Sequence, residues 1–276
     1  MLTIYEAERP RGESRQESPR RANMNLPNPF PGVATNATVA AQVSNSKQKS
    51  YKFKKAGKNG TLITIVLDES GSMLTCQDST IAGFNEFVHG QLKAESNAGL
   101  GYLSLIKFDS PHIKTVFNNR PLNEVPLLDK SNYRPSGGTN LLDAIGNAIE
   151  SVNSVLSQSR KKDRPGVIIT IMTDGEENAS NQYNRSQIKE MVAAAEKADW
   201  TFTFLGANID AFSVGSTFGM NNSNSVNYNT GNMHETMVAV SASTVRMRSA
   251  KTAGASTAEL YSVGLYTPSE LKSMKE

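Results

Sequence analysis

The chain has 276 residues, with 29 Lys and Arg against 26 Asp and Glu, three histidines and one cysteine. That length holds one well-buried α/β domain with tails, and a lone Cys76 excludes an internal disulfide and suits a reducing compartment. The longest apolar runs are too short to cross a bilayer, and the amino terminus lacks the basic start and apolar segment of a secretory signal, so no membrane association and a cytoplasmic location are expected.

The net charge of +3 is unevenly spread: residues 1–60 carry eleven Lys and Arg against four Asp and Glu, leaving the remainder acidic. Residues 1–57 lack apolar periodicity and are rich in Arg, Glu, Ser, Pro, Asn and Ala, so they read as a disordered basic tail. Within it, Leu26-Pro27-Asn28-Pro29-Phe30-Pro31-Gly32 is an extended or turn element suited to docking on a partner. Lys47, Lys49, Lys52, Lys54, Lys55 and Lys58, with Tyr51 and Phe53 between them, read either as a solvated basic linker or as a contact for nucleic acid or an acidic protein. The linker is the favoured reading, because no stacking platform accompanies the charges.

Residues 58–250 form the domain. Leu62-Ile63-Thr64-Ile65-Val66-Leu67 is a β-branched and aliphatic run with little polar alternation, as expected of a strand buried on both faces, and it ends in Asp68-Glu69-Ser70-Gly71-Ser72. Ser79 to Ala94 reads as an amphipathic helix with Ile81, Phe84, Phe87, Val88 and Leu92 on one face, and His89 lies within it. Leu100 to Phe108 is a strand, and Ile113 to Phe117 pairs with it as an antiparallel hairpin through Ser110-Pro111. Pro121 to Pro135 is a loop with Leu122, Val125, Leu127 and Leu128 tucked inward. Leu141 to Leu156 is a helix with the stripe Leu142, Ile145, Ala148, Ile149, Val152 and Val155. A basic turn from Arg160 to Gly166 leads to a second buried strand, Val167 to Thr173, which ends in Asp174-Gly175.

A helix over Ile188 to Ala198 follows, then the last long strand from Trp200, a short strand over Val226 to Tyr228, and a helix over Met233 to Met247 whose methionines read as packing. Residues 251–276 read as a C-terminal tail with a short helix near Ser269 to Lys275. The element order argues an α/β fold: a doubly wound, mostly parallel sheet with one antiparallel edge strand and helices on both faces. It puts both acid-ending strands centrally, with their carboxyl ends on the edge where such sheets bind ligands.

Asp68, Ser70 and Ser72, at i, i+2 and i+4, have hard oxygen donors suited to Mg²⁺ or Mn²⁺. Alone they read equally well as an Asx-turn and cap. Ser136-Gly137-Gly138-Thr139-Asn140 adds a hydroxyl ahead of a helix, where Thr139 is a plain cap or a hydroxyl turned to a cation; the glycine pair favours the second. Asp174 adds a further carboxylate. Glu176 and Glu177 add potential to this rim, complete a coordination shell or face solvent, and solvent is the simplest assignment.

Asp68, Ser70 and Ser72, then Thr139, then Asp174, in that order, resemble the metal-ion-dependent adhesion site (MIDAS) of von Willebrand factor A (vWA) domains, over about residues 60–250. The turn from Gly206 to Phe212 looks like that of stand-alone bacterial and phage members. The resemblance implies a Rossmann-like vWA fold and a Mg²⁺ or Mn²⁺ ion held by Asp68, Ser70, Ser72, Thr139 and Asp174, with a position left for a partner's Asp or Glu. It suggests a protein partner such as a MoxR-type AAA+ ATPase or a phage or stress-response protein.

Two other classes compete. A metal held by carboxylates and hydroxyls suits a phosphohydrolase, but Glu69-Ser70 after Asp68 breaks the Asp-x-Asp pattern of phosphoaspartate chemistry. Neither a phosphate loop nor a Gly-x-Ser-x-Gly elbow is present, and His89, His112 and His234 have no carboxylate at close spacing. No catalytic residues are therefore expected. The other class is a nucleic-acid-associated protein acting through the basic tail.

Overall fold

The computed structural model of the protein describes Phe53, residues 59–220 and residues 222–276. The expectations for residues 1–57, for the Leu26 to Gly32 segment and for the Lys47 to Lys58 cluster therefore lie outside the described residues, apart from Phe53. That ring is buried and packs edge-to-face on Tyr102 at 5.0 Å between centroids, so it is not an exposed stacking surface.

Six strands form one sheet: β1 (Gly60–Asp68), β2 (Leu100–Phe108), β3 (Ile113–Pro121), β4 (Gly166–Thr173), β5 (Trp200–Ala207) and β6 (Ser225–Tyr228). Their order is β3-β2-β1-β4-β5-β6, parallel throughout except for the antiparallel β2–β3 edge. β1 is buried along its whole length, as an unbroken apolar run requires in a sheet covered on both sides. Its odd residues Ile63, Ile65 and Leu67 pack with Phe84, Phe87 and Val88 of α1 (Gln77–Lys93) and Met237 and Val240 of α6 (Met233–Thr252). The opposite face, with Leu62, Val66 and Ile171, is covered by α3 (Leu141–Ser157) and α4 (Arg185–Lys197). The apolar stripe expected on α3 is buried from Leu142 to Val155. Short helices α2 (Glu95–Ala98) and α5 (Ala211–Thr217) follow α1 and β5.

Several details differ from the sequence reading. Leu92, expected on the apolar face of α1, is exposed near the helix end. Leu122 and Leu128 are buried, but Leu127 is exposed, because the loop turns back through Asp129 to bury Tyr133 instead. β3 runs on to Pro121 through polar residues, with shifts of register against β2 that an exposed edge tolerates. α6 continues past Met247 to Thr252, because its later inward positions are Arg248 and Lys251 and not apolar residues. Residues 251–276 carry two short helices, α7 (Thr257–Val263) and α8 (Pro268–Ser273), each opened by a capping box. Leu260, Leu265 and Met274 are buried, and Asn229 N donates to Met274 O at 2.8 Å, which ties this segment to the end of β6.

Candidate metal centre

The β1–β4 register pairs Leu67 with Met172, so Asp68 and Thr173 end side by side on the same face of the sheet. Thr173 Oγ1 donates to Asp68 Oδ2 at 2.6 Å, and Ser70 N donates to Asp68 Oδ1 at 2.7 Å, an Asx-type turn. The chain then enters a 3-10 turn, Gly71–Cys76, that buries Met73 and Cys76 and leaves Ser72 exposed. Ser70 Oγ and Ser72 Oγ lie 3.1 Å apart, and Ser72 Oγ donates to Asp174 Oδ1 at 2.6 Å. Thr139 arrives from the start of α3: a Cβ placed on Gly175 would lie 3.3 Å from Thr139 Oγ1 and 3.9 Å from Ser72 Oγ. All five residues singled out in the sequence thus meet at one edge of the sheet, between the ends of β1 and β4.

Asp68 is 0% exposed, and burial pushes its carboxyl up to about 6; hydrogen bonds from Thr173 and Ser70 oppose this, and the Asp174 charge adds to it. Burial also raises Asp174, against the hydrogen bond from Ser72. Among the described residues no Lys, Arg or His pairs with either carboxylate. Glu69, between them in sequence, turns the other way. Its Oε1 accepts from the buried Lys107 ammonium and from Arg134 N, and Lys107 also donates to Asn132 O. Glu69 is thereby neutralised and withheld from the site. Lys107 is not assigned a role from sequence; the only signal is one lysine inside an otherwise apolar strand.

Two buried tyrosines hold the strand ends from behind. Tyr133 OH donates to Asp68 O at 2.7 Å, and Tyr228 OH donates to Thr173 O at 3.2 Å. Thr139 precedes the N-cap residue Asn140, whose side chain makes no capping hydrogen bond. Glu177 serves that end instead, accepting from Leu142 N at 2.8 Å, so the assignment of Glu177 to solvent is corrected while Glu176 is exposed. The histidines lie elsewhere: His89 is exposed on α1, but the expectation that none has a nearby carboxylate is corrected, since His112 pairs with Asp109 three residues before it and His234 with Glu86 across the α1–α6 contact. Met233, Met237 and Met247 are buried in the core.

The family model of the von Willebrand factor type A domain matches residues 63–244. The chain belongs to this family. No curated protein matches the sequence. Among solved structures, this A domain is similar to proximal thread matrix protein 1 from the mussel byssus, at 16% identity and a TM-score of 0.48, covering 64% of this chain and 46% of that one. It thus spans about half the mussel protein's length. It is similar also to the vWF domain of the type V pili tip protein Mfa5 from Porphyromonas gingivalis, at 11% identity and a TM-score of 0.47, covering 68% and 95%. A third is the manganese-loaded TRAP protein of Plasmodium vivax, at 15% identity and a TM-score of 0.36, covering 54% and 58%. Among the described residues no helix of this A domain is long and apolar enough to cross a membrane.

The donor set of the A domain fits a hard divalent cation. Among the described residues no three His, Cys, Asp or Glu side chains cluster to hold a metal by themselves, so any ion here takes hydroxyl oxygens beside its carboxylates. Two carboxylates and three hydroxyls, with no thiolate or imidazole among them, suit Mg²⁺ or Mn²⁺ and not a soft metal.

Proposed function

We propose that this A domain is a metal-dependent protein-interaction module and not an enzyme, with Asp68, Ser70, Ser72, Thr139 and Asp174 holding a Mg²⁺ or Mn²⁺ ion. The observation that carries the reading is the pair of buried carboxylates, Asp68 and Asp174, supported by hydroxyls and, among the described residues, by no side-chain cation. Leaving two such charges uncompensated is costly, and a bound divalent ion offsets that cost. When bound, the ion supplies positive charge that attracts a carboxylate from another molecule. The chain's own residues hold the donors ready. Thr173 and Ser70 N fix the rotamer of Asp68, Ser72 bridges to Asp174, and Tyr133 and Tyr228 anchor the strand ends from which both acids project.

The reading as an interaction module is supported by what surrounds the donors. Glu69, the one further acid in the loop, is paired with Lys107, Asp109 at the end of β2 is engaged by His112 and Ser136, and among the described residues no histidine lies at the site to serve as general acid or base. The partner presents an Asp or Glu; a MoxR-type AAA+ ATPase or a phage or stress protein is the class that the family resemblance suggests. The single buried, free Cys76 suits a reducing, cytoplasmic setting. Calorimetric titration with Mg²⁺ and with Mn²⁺, on wild type and Asp68→Ala, tests the assignment: binding to wild type alone is expected, and equal affinity in both removes it. Capture of proteins from the source cell with and without chelator then identifies the partner as the species that chelation releases.

A further inference from the structure

We propose that the 175–180 loop is a latch that positions Thr139, with Asn178 and Glu177 as its positioning residues; this rests on the cation reading given above. Thr139 and Asp174 belong to different elements, the start of α3 and the end of β4, so something must fix the distance between them. The cap of α3 does not do it, since Asn140 makes no capping bond. The loop that begins immediately after Asp174 does. Asn178 Oδ1 accepts from Thr139 N at 2.9 Å, while Asn178 N and Ala179 N donate to Thr139 O at 3.0 and 3.2 Å. The Thr139 main chain is thus gripped on its donor and its acceptor by two consecutive loop residues.

Glu177 locks the same loop to the helix. Its carboxylate accepts from Leu142 N at 2.8 Å and closes its own turn through Ala179 N, Ser180 N and Ser180 Oγ. Ser180 Oγ in turn accepts from Asp143 N at 3.1 Å. Two first-turn N–H groups of α3 are therefore satisfied from the β4 loop, and the helix cannot slide along the sheet edge without breaking them. The latch also accounts for the second glycine of the pair ahead of Thr139, the first being set by its own backbone conformation and the nearby Ser110 carbonyl. A Cβ on Gly138 would come within 2.9 Å of Asn178 Oδ1, so a side chain there displaces the latch, and Gly137 has the left-handed φ of +67° that glycine favours. Fixing Thr139 against Asp174 fixes the size of the cage, which is what separates Mg²⁺, small and strict in geometry, from the larger and more tolerant Ca²⁺.

The test is titration of the full chain with Mg²⁺ and Ca²⁺ for wild type, Asp68→Ala, Thr139→Ala, Asn178→Ala, Gly138→Ala and the Thr139→Ala/Asn178→Ala double variant. Asn178→Ala is expected to weaken Mg²⁺ about tenfold, as loss of an outer-shell partner does, and to weaken Ca²⁺ less. Gly138→Ala, which reaches the same contact from the other side, is expected to match it. If Asn178 acts through Thr139, the double variant binds no more weakly than Thr139→Ala alone; a general structural role instead adds in full. Failure of wild type to bind Mg²⁺, or unchanged binding in Asp68→Ala, overturns the cation reading and the latch with it. Binding that needs Asp68 but is unaffected by Asn178→Ala and Gly138→Ala, or fully additive losses in the double variant, overturns the latch alone.

Discussion

Asp68 concentrates the electrostatic cost of the site. Its carboxyl is driven up to about 6 by burial, whereas in the unfolded chain it stands at 3.8. Between those values the folded state holds the proton more tightly, so in chelator stability is greatest at the acid end of the window and falls as pH rises through about 6. A shift of this size corresponds to roughly 3 kcal/mol. Asp174, raised by the same cause, acts in the same direction. Urea unfolding of chelated wild type and Asp68→Asn from pH 4 to 7.5 measures it: the stability of wild type relative to the variant is expected to decline from pH 4 to about 6 and to level off above that, and a difference flat throughout contradicts the assignment. Saturating Mg²⁺ is expected to stabilise wild type at neutral pH and to have no such effect on Asp68→Asn. Lys107 is the counterpart: it holds Glu69 away from the carboxylates, and Lys107→Met is expected to leave Glu69 unpaired beside them and to lower stability by about 3 kcal/mol or more, measured by the same melts.

At the scale of elements, the strands were the most legible part of the chain. A run such as Leu62 to Leu67 has one explanation, burial on two faces, and β1, β2 and β4 are found where such runs stand. The end of β3 and the last turns of α6 carry the opposite lesson. Arg120 and Pro121 pair with Leu103 and Tyr102 beyond a shift of register, and Arg248 is buried because its guanidinium reaches Gln91 and the Gly99 carbonyl, contacts that no periodicity announces. Asp68, Ser70, Ser72, Thr139 and Asp174 were legible because each stands at a strand end or helix start. The residues around them, Tyr133, Glu177 and Asn178, and Lys107 that engages Glu69, were not, because their partners lie across loops. Tyr133→Phe removes the bond to the Asp68 carbonyl and is expected to cost about 1 kcal/mol, whereas Ile65→Ala, which empties the core under the same strand, is expected to cost about 2–5 kcal/mol; both are read from denaturant midpoints.

For the molecule as a whole, the crossovers of a doubly wound sheet bring β1 and β4 side by side although α1, the β2–β3 hairpin and α3 intervene in sequence. Their carboxyl ends become one edge, and the start of α3 completes it. The C-terminal segment belongs to the same body: Met274 lies in the core cluster that also holds Met73, Tyr133 and Tyr228, directly behind the loop that bears Ser70 and Ser72. Removing residues 268–276 is therefore expected to lower the denaturant midpoint and not merely to trim a tail.

The measurement that bears most directly on the central claim is anomalous diffraction from crystals soaked in Mn²⁺. One peak is expected between the ends of β1 and β4, within coordination distance of the Ser70 and Ser72 hydroxyls and absent from Asp68→Ala crystals grown alike. A peak elsewhere with none at that edge, or an equal peak in the variant, contradicts it.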